Sequence, residues 1–247
     1  MNYGLLLSTD NIDFMIHKLV PFNFFGTEVW ITDSHVCVLI VMLILVIFSI
    51  IAGNKFKKAL ANDQMEPDGF QNFVEAIIDF LQNTVGNAMG KSADRYFNYI
   101  ATIFMFILVS NISGLLGLRP PTADWAVTLP MALITFSLIH INEVKFAKSP
   151  LALWADKCSP LPPWLPIWLP INIISDIAVP ISLSLRLFAN VLSGTVMMAL
   201  IYGLLGWIAT AWPAALHVYF DLFSGAIQTY VFCMLTMTYI ASARGEA

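Results

Sequence analysis

Between Ser159 and Ala243 the chain runs for 85 residues with only three formally charged side chains, Asp176, Arg186 and Asp221. A soluble domain carries about one charged residue in four, so so bare a segment belongs in lipid. There every backbone group has to be satisfied within the segment itself, which leaves helices as the available structure for a chain of this pattern. Over all 247 residues the composition agrees, with 58% hydrophobic and 11% charged. The expected fold class is an all-α polytopic membrane protein. The 85 residues are too many for two ordinary spans of about 20 residues and a tight turn. The last two helices, expected at about 165–208 and 213–243, are therefore long and strongly tilted, or broken. Pro170 and Pro180 support a kinked entry.

The same reading divides the rest of the chain into a short ordered segment outside the membrane, residues 1–35, and one membrane domain, 36–247. The first residues carry Asp10, Asp13, Lys18, Glu28 and Asp33 and lack a basic start with an apolar run, so they are not a signal peptide. Residues 36–53, VCVLIVMLILVIFSIIAG, are uncharged and long enough to span. Lys55, Lys57 and Lys58 follow, whereas Lys18 is the only Lys or Arg ahead of them. The positive-inside bias then puts the N-terminus outside and residues 54–67 in the cytoplasm. Residues 68–90 alternate Phe70, Phe73, Val74, Ile77, Ile78 and Leu81 with Asp68, Glu75, Asp79 and Asn83, the pattern of an amphipathic surface helix. Its acidic polar face favours packing on other helices over lipid anchoring. Two further spans are expected at 96–118 and 125–147, separated by RPPTAD at the outer surface. Glu143, Lys145, Lys148 and Lys157 then return the chain to the cytoplasm, where the proline-rich SPLPPWLPIWLP leads into the last third. This places the C-terminus in the cytoplasm. Scattered cations give no surface for nucleic acid, and Cys37, Cys158 and Cys233 have no paired spacing, so neither a disulfide framework nor a metal knuckle is expected.

The chemistry concentrates on Arg186. A central arginine in a membrane helix costs roughly 3 kcal/mol on insertion scales, so by default it faces protein or water and works there. It cannot shed its proton as a lysine can. Ser182, Arg186, Asn190 and Ser193 recur at steps of four, four and three, and so do His217, Asp221, Gly225 and Gln228 on the following helix. Two such stripes facing each other, joined near Pro213, form a polar seam. Asp176 precedes Arg186 toward the cytoplasm and Asp221 follows it toward the outside. One carboxylate on each side of a fixed cation is the layout of two water-filled half-paths that do not meet. A structural ion pair of Arg186 with Asp176 or Asp221 is the competing reading. His217 and Asp221 also form half a metal site, but no further ligands complete it, and no metal or cofactor is expected. His140 reads as a hydrogen-bonded packing residue. Asn111 and Ser113, in LVSNISG, read equally as interhelical glue and as lining of the outer path.

Three stretches, PISLSLRLFANVLSG (180–194), DLFSGAIQTYVFCMLTMTYI (221–240) and SNISGLLGLRPPTAD (110–124), together resemble subunit a of the rotary F-type ATP synthases, bacterial type. The resemblance implies transmembrane helices plus a long, near-horizontal helix hairpin against a rotating ring of c subunits in the bacterial inner membrane. The b subunits of the peripheral stalk, the remainder of the complex and membrane lipid are the other implied partners. Arg186 matches the arginine that faces the carboxylate of each c subunit, with Asn190 and Gln228 close by. The implied outer half-channel takes Asp221, Asn111, His217 and Ser193, and the inner one Asp176, Ser175 and Asn172. Ala189 stands where the family often has glycine. Thr195 and Asp221 stand where some members have glutamate and histidine, which shifts the outer path onto Asp221. The resemblance implies no catalysis by this chain alone, and with no P-loop it binds no nucleotide that way. The choice between proton and sodium is left to the ring. Two other classes stay open on the residues alone: a secondary transporter, although no internal repeat is present, and a respiratory membrane anchor, although His140 and His217 are ill matched for haem.

Overall fold

The structure is a computed structural model that describes residues 18–24, 27–61, 68–116, 120–146, 168–205 and 212–244. The proline-rich loop, Arg119, Lys148, Lys157, Cys158 and most of the first 35 residues lie outside them. Ahead of the helices, strands β1 (Lys18–Phe24) and β2 (Thr27–Thr32) pair antiparallel, with Phe22 opposite Val29. Everything described beyond this hairpin is helical. The helices are α1 (Asp33–Ala61), α2 (Gly69–Met89), α3 (Ala93–Ile112), α4 (Trp125–Phe146), α5 (Trp168–Leu205), α6 (Trp212–His217) and α7 (Gly225–Ala243). A π-helical segment, Val218–Ser224, joins α6 to α7. Five helical stretches are long and apolar enough to cross a membrane, so the expected all-α membrane fold holds.

Helix starts follow local chemistry. Asp68 caps α2 by accepting from Gly69 N at 2.9 Å, while Gln71 Oε1 accepts from Asp68 N at 2.8 Å. This reciprocal box satisfies donors that the first turn leaves bare. Asp68 also accepts from Lys55 Nζ at 2.6 Å, and that hydrogen bond, ahead of the lysine's charge, holds its carboxyl below the usual range. Asp124 caps α4 through Ala126 N at 3.0 Å. α1 continues past its uncharged run to Ala61 because Lys, Ala and Leu are good helix formers.

α2 packs on its neighbours, as its acidic face suggested: Phe70 meets Phe48 of α1 edge-on at 5.8 Å, and Phe80 meets Phe104 of α3 at 6.2 Å. The shared core draws Val85 and Met89 from α2, Ile100 and Ile107 from α3, Leu187 from α5, and Phe232 and Met237 from α7. Polar bonds tie the same helices together. Tyr96 of α3 donates to Asn142 of α4, Tyr99 lies 3.0 Å from Thr135, and Trp125 Nε1 donates to the buried Ser184 of α5 at 2.8 Å. At 1.5 Å per residue the 38 residues of α5 extend about 57 Å, nearly twice a hydrocarbon core of about 30 Å. α5 therefore tilts far beyond the ordinary 20° or leaves the core at its ends. Pro180 sits inside it without ending it.

α7 approaches α3 closely at Gly225. A Cβ on Gly225 would lie 2.8 Å from Asn111 Cβ, closer than real Cβ contacts come. Gly225→Ala should push α7 from α3 and destabilise the fold by about 1–3 kcal/mol. Gly86→Ala, where a Cβ meets nothing within 4 Å, should be neutral or slightly stabilising. Thermal melting of the purified protein measures both; a Gly225→Ala melting point equal to that of Gly86→Ala would show the contact to be slack.

Candidate functional site

α5 carries its polar residues on more than one face. Leu183, Ser184 and Leu187 are buried, with Ser184 bonded to α4. This burial fixes the helix's rotation and turns Ser182, Arg186 and Ser193 outward, where all three are exposed. Arg186 has no hydrogen bond or ion pair with any described residue. Each step of four along a helix advances about 40° beyond a full turn, so Asn190 drifts away from Ser182 and lies half-buried. There its Oδ1 accepts from Ser224 Oγ at 3.1 Å. The expected seam therefore contains Asn190 but not Arg186, which faces away from the chain. Ser193 is exposed and bonds only the Asn190 carbonyl, at 2.9 Å, so it lines no inner surface of the seam.

Beyond Asn190 the chain builds a tight polar cluster, here called the Asp221 end. Asn111, only 2% exposed, donates from Nδ2 to the Gly225 carbonyl at 3.1 Å and to Thr229 Oγ1 at 3.4 Å, and accepts from Thr122 Oγ1 at 2.8 Å. Asp221 Oδ2 lies 2.9 Å from His217 Nδ1. The π-helical hydrogen bonds of Val218–Ser224 reach one residue further than α-helical ones, so a step of four there is closer to a full turn and stacks the two side chains. Asn111, Asn190 and Asp221 border one cavity of about 10 Å³, roughly the least that holds one water. Gly114 leaves the space: a Cβ there would lie 3.2 Å from Asp221 Cγ. Asn111 thus bonds α3 to α7 and also borders this cavity. Ser113 bonds the Ser110 carbonyl. Gln228 is 8% exposed and its amide nitrogen has no partner among the described residues.

The opposite end of α5 opens into a separate cavity of about 180 Å³, here called the Asp176 end. Asp176 and Val179 line it from α5, His140 and Glu143 from α4, and Tyr239 and Ser242 from α7. Neither Ser175, which is exposed, nor the half-buried Asn172 lines the cavity: a helix that points Asp176 inward turns Ser175 about 100° away, and Asn172 stands a full turn nearer the start of α5. His140 Nδ1 lies 2.8 Å from Glu143 Oε2. Reading His140 as a packing residue accounts for its edge contact with Phe136, at 4.2 Å between ring centres, but missed the carboxylates that share its cavity. The signal available was its i,i+3 spacing to Glu143. The two cavities have no lining residue in common.

The family model described as ATP synthase A chain matches residues 35–241. The chain is 34% identical over 210 residues to "ATP synthase subunit a, sodium ion specific" of Propionigenium modestum, covering 78% of this chain and 69% of that one. It is 34% identical over 192 residues to ATP synthase subunit a of Priestia megaterium, covering 72% and 79% respectively. With that of Staphylococcus saprophyticus it shares 32% identity over 248 residues, covering 92% and 97%.

Separate cavities make a directional expectation. With Cys37, Cys158 and Cys233 replaced, Asp176→Cys should react with a membrane-impermeant thiol reagent from one face of sealed vesicles, and Asp221→Cys only from the other. Modification of the Asp221→Cys protein should also be several-fold slower, since its cavity holds about one water. Labelling of both from the same face would contradict two opposed paths.

Proposed function

The chain belongs to the ATP synthase A chain family, and from that premise we propose how it conducts ions as the membrane stator subunit of that complex. One observation carries the reading. An exposed guanidinium without a partner among the described residues stands on α5 between two cavities that share no residue, one bordered by Asp221 and the other by Asp176 and Glu143. In this reading the Asp176 end faces the cytoplasm, because Lys145 follows two residues after Glu143, which lines that cavity, and the multi-pass chain sits in a bacterial inner membrane. The family premise gives no support to a transporter or a respiratory anchor.

The partner of Arg186 is a carboxylate on a ring of c subunits that turns against α5 and α7, with the b subunits holding this chain still. A ring carboxylate facing lipid is desolvated and keeps its proton. Opposite Arg186 the positive charge favours the anion, so the proton leaves before that point on one side and returns after it on the other. The outer path runs by Asp221, with His217 beside it and Asn111 and Asn190 bordering its cavity. Arg186 and Ser193 face the ring, while Asn190 is half-buried and Gln228 is buried. The unpartnered amide of Gln228 supports a hydrogen bond donated to that carboxylate or to its water. The inner path leaves by Asp176, with His140 and Glu143 added to it, while Ser175 and Asn172 lie toward its mouth. Each charge crossing yields about 2.3 kcal/mol per 100 mV, so several must pass for each ATP, and a ring collects them.

Arg186→Lys in the assembled complex should cut ATP-driven ion uptake into inverted vesicles by at least about tenfold, equal to about 1.4 kcal/mol. A compact, strongly hydrated ammonium is a poor substitute for the guanidinium. Near-normal coupled pumping would remove Arg186 from the mechanism. Asp221→Asn should slow uptake several-fold with assembly intact, and unchanged conduction would take Asp221 out of the path.

A further inference from the structure

We propose that the apolar cavity between α1, α2 and α3 is a lipid site, which takes one acyl chain of an anionic phospholipid and holds its phosphate at Lys57 and Lys58. The cavity measures about 750 Å³. Its walls include Gly53 and Phe56 of α1, Ile77 of α2 and Phe106 of α3, and the only polar side chains among them are Ser49 and Thr102. The Thr102 hydroxyl is already committed to the Asn98 carbonyl at 2.7 Å.

Size and polarity select the occupant. Apolar cavities stay dry, so water does not fill this one. A transmembrane helix about 10 Å across and 30 Å long occupies more than roughly 2,000 Å³. A neighbouring subunit's helix can therefore close the mouth but cannot enter. The volume lies within the range of about 300–1,000 Å³ that suits a single compact ligand, and the walls suit hydrocarbon.

The headgroup follows from the rim. On α1, Met42, Val46, Ser49, Gly53 and Phe56 line the cavity at helical steps. Four residues beyond Gly53, on the same face, stands Lys57. Lys57 and Lys58 are exposed and have no ionic partner among the described residues, whereas Lys55 is held by Asp68. Lys57 stands one turn beyond the cavity wall and Lys58 about 100° further round α1; two uncommitted ammonium groups there recognise a phosphate carrying net negative charge, and their long stems can reach along the chain they hold.

The test uses the assembled complex in phosphatidylcholine vesicles that contain trace phosphatidylglycerol or phosphatidylcholine with a photoreactive acyl chain. After illumination, labelled residues are mapped by mass spectrometry. Label should fall on cavity walls, and phosphatidylglycerol should exceed phosphatidylcholine by roughly fivefold or more. K57Q/K58Q, at two exposed positions, should bring the ratio close to one. Gly53→Leu, where a Cβ meets nothing within 4 Å, should narrow the cavity beside α1 and reduce wall labelling while ATP-driven pumping continues. Equal labelling by the two lipids, wall labelling unchanged in Gly53→Leu, or no wall labelling of the unaltered complex would each overturn the proposal. If Gly53→Leu does not assemble, the lysine variant alone decides, because its loss of lipid preference has no other source here.

Discussion

A guanidinium that cannot lose its proton, carried on a helix otherwise built for lipid, is the constraint to which the rest of this chain is fitted. The chain does not neutralise it internally. Asp221 is turned to His217, and Asp176 is turned into the opposite cavity. The orientation of Arg186 is set from behind: Leu183, Ser184 and Leu187 are almost completely buried, and an α-helix that seats those positions has to present residue 186 outward. An ion pair within the chain would have quenched the charge. An outward guanidinium instead leaves its demand for a counter-charge open, and in the proposed mechanism a ring carboxylate meets it.

What holds this geometry differs from a soluble core. Between helices in lipid there is little hydrophobic driving force, and close contact rests on small residues and on polar groups that bond across. Gly225 lets α7 reach Asn111, and Asn111 then bonds α7 and the turn at Thr122 together. Tyr96 with Asn142, and Trp125 with Ser184, do the same elsewhere. Every one of these links ends on α3, α4, α5 or α7, the helices that bound the two cavities. α1 is tied to α2 at Lys55, whose ammonium bonds Asp68 and whose carbonyl accepts from Gln71 Nε2 at 3.1 Å, and between α1, α2 and α3 lies the large apolar cavity.

Hydropathy and charge made most of the fold legible, because a span has to be uncharged for about 20 residues whatever its neighbours are. The amphipathic pattern of residues 68–90 likewise announced a helix packed on one side. Arg186, Asp176 and Asp221 were legible for the same reason: charge is so scarce in the last third that each one stands out. What sequence spacing misjudged was rotation. Steps of four look like a single stripe, yet Asn190 turns into the seam while Arg186 and Ser193 turn out, because packing against α4 chooses the buried face. The π-helical segment has no period of its own over seven residues, so it too was invisible. His140 and Glu143 become neighbours of Asp176 only when the end of α4 meets α5, which no local pattern encodes.

The two ends of α5 are unequal, and the inequality bears on where ion flow meets resistance. The Asp176 cavity, at about 180 Å³, has room for several waters among groups able to pass a proton. The Asp221 cavity, at about 10 Å³, has room for one, and it is closed in by Asn111, Pro120 and Gly225. Two of these, Asn111 and Gly225, also bind α3 to α7, so the cavity cannot be widened there without loosening that contact. In the proposed mechanism the same contact limits flow at that end. If the proposed mechanism holds, a chain of this design trades speed on one side of its arginine for a fixed barrier between the two paths, because a shortcut between them would dissipate the gradient without turning a ring.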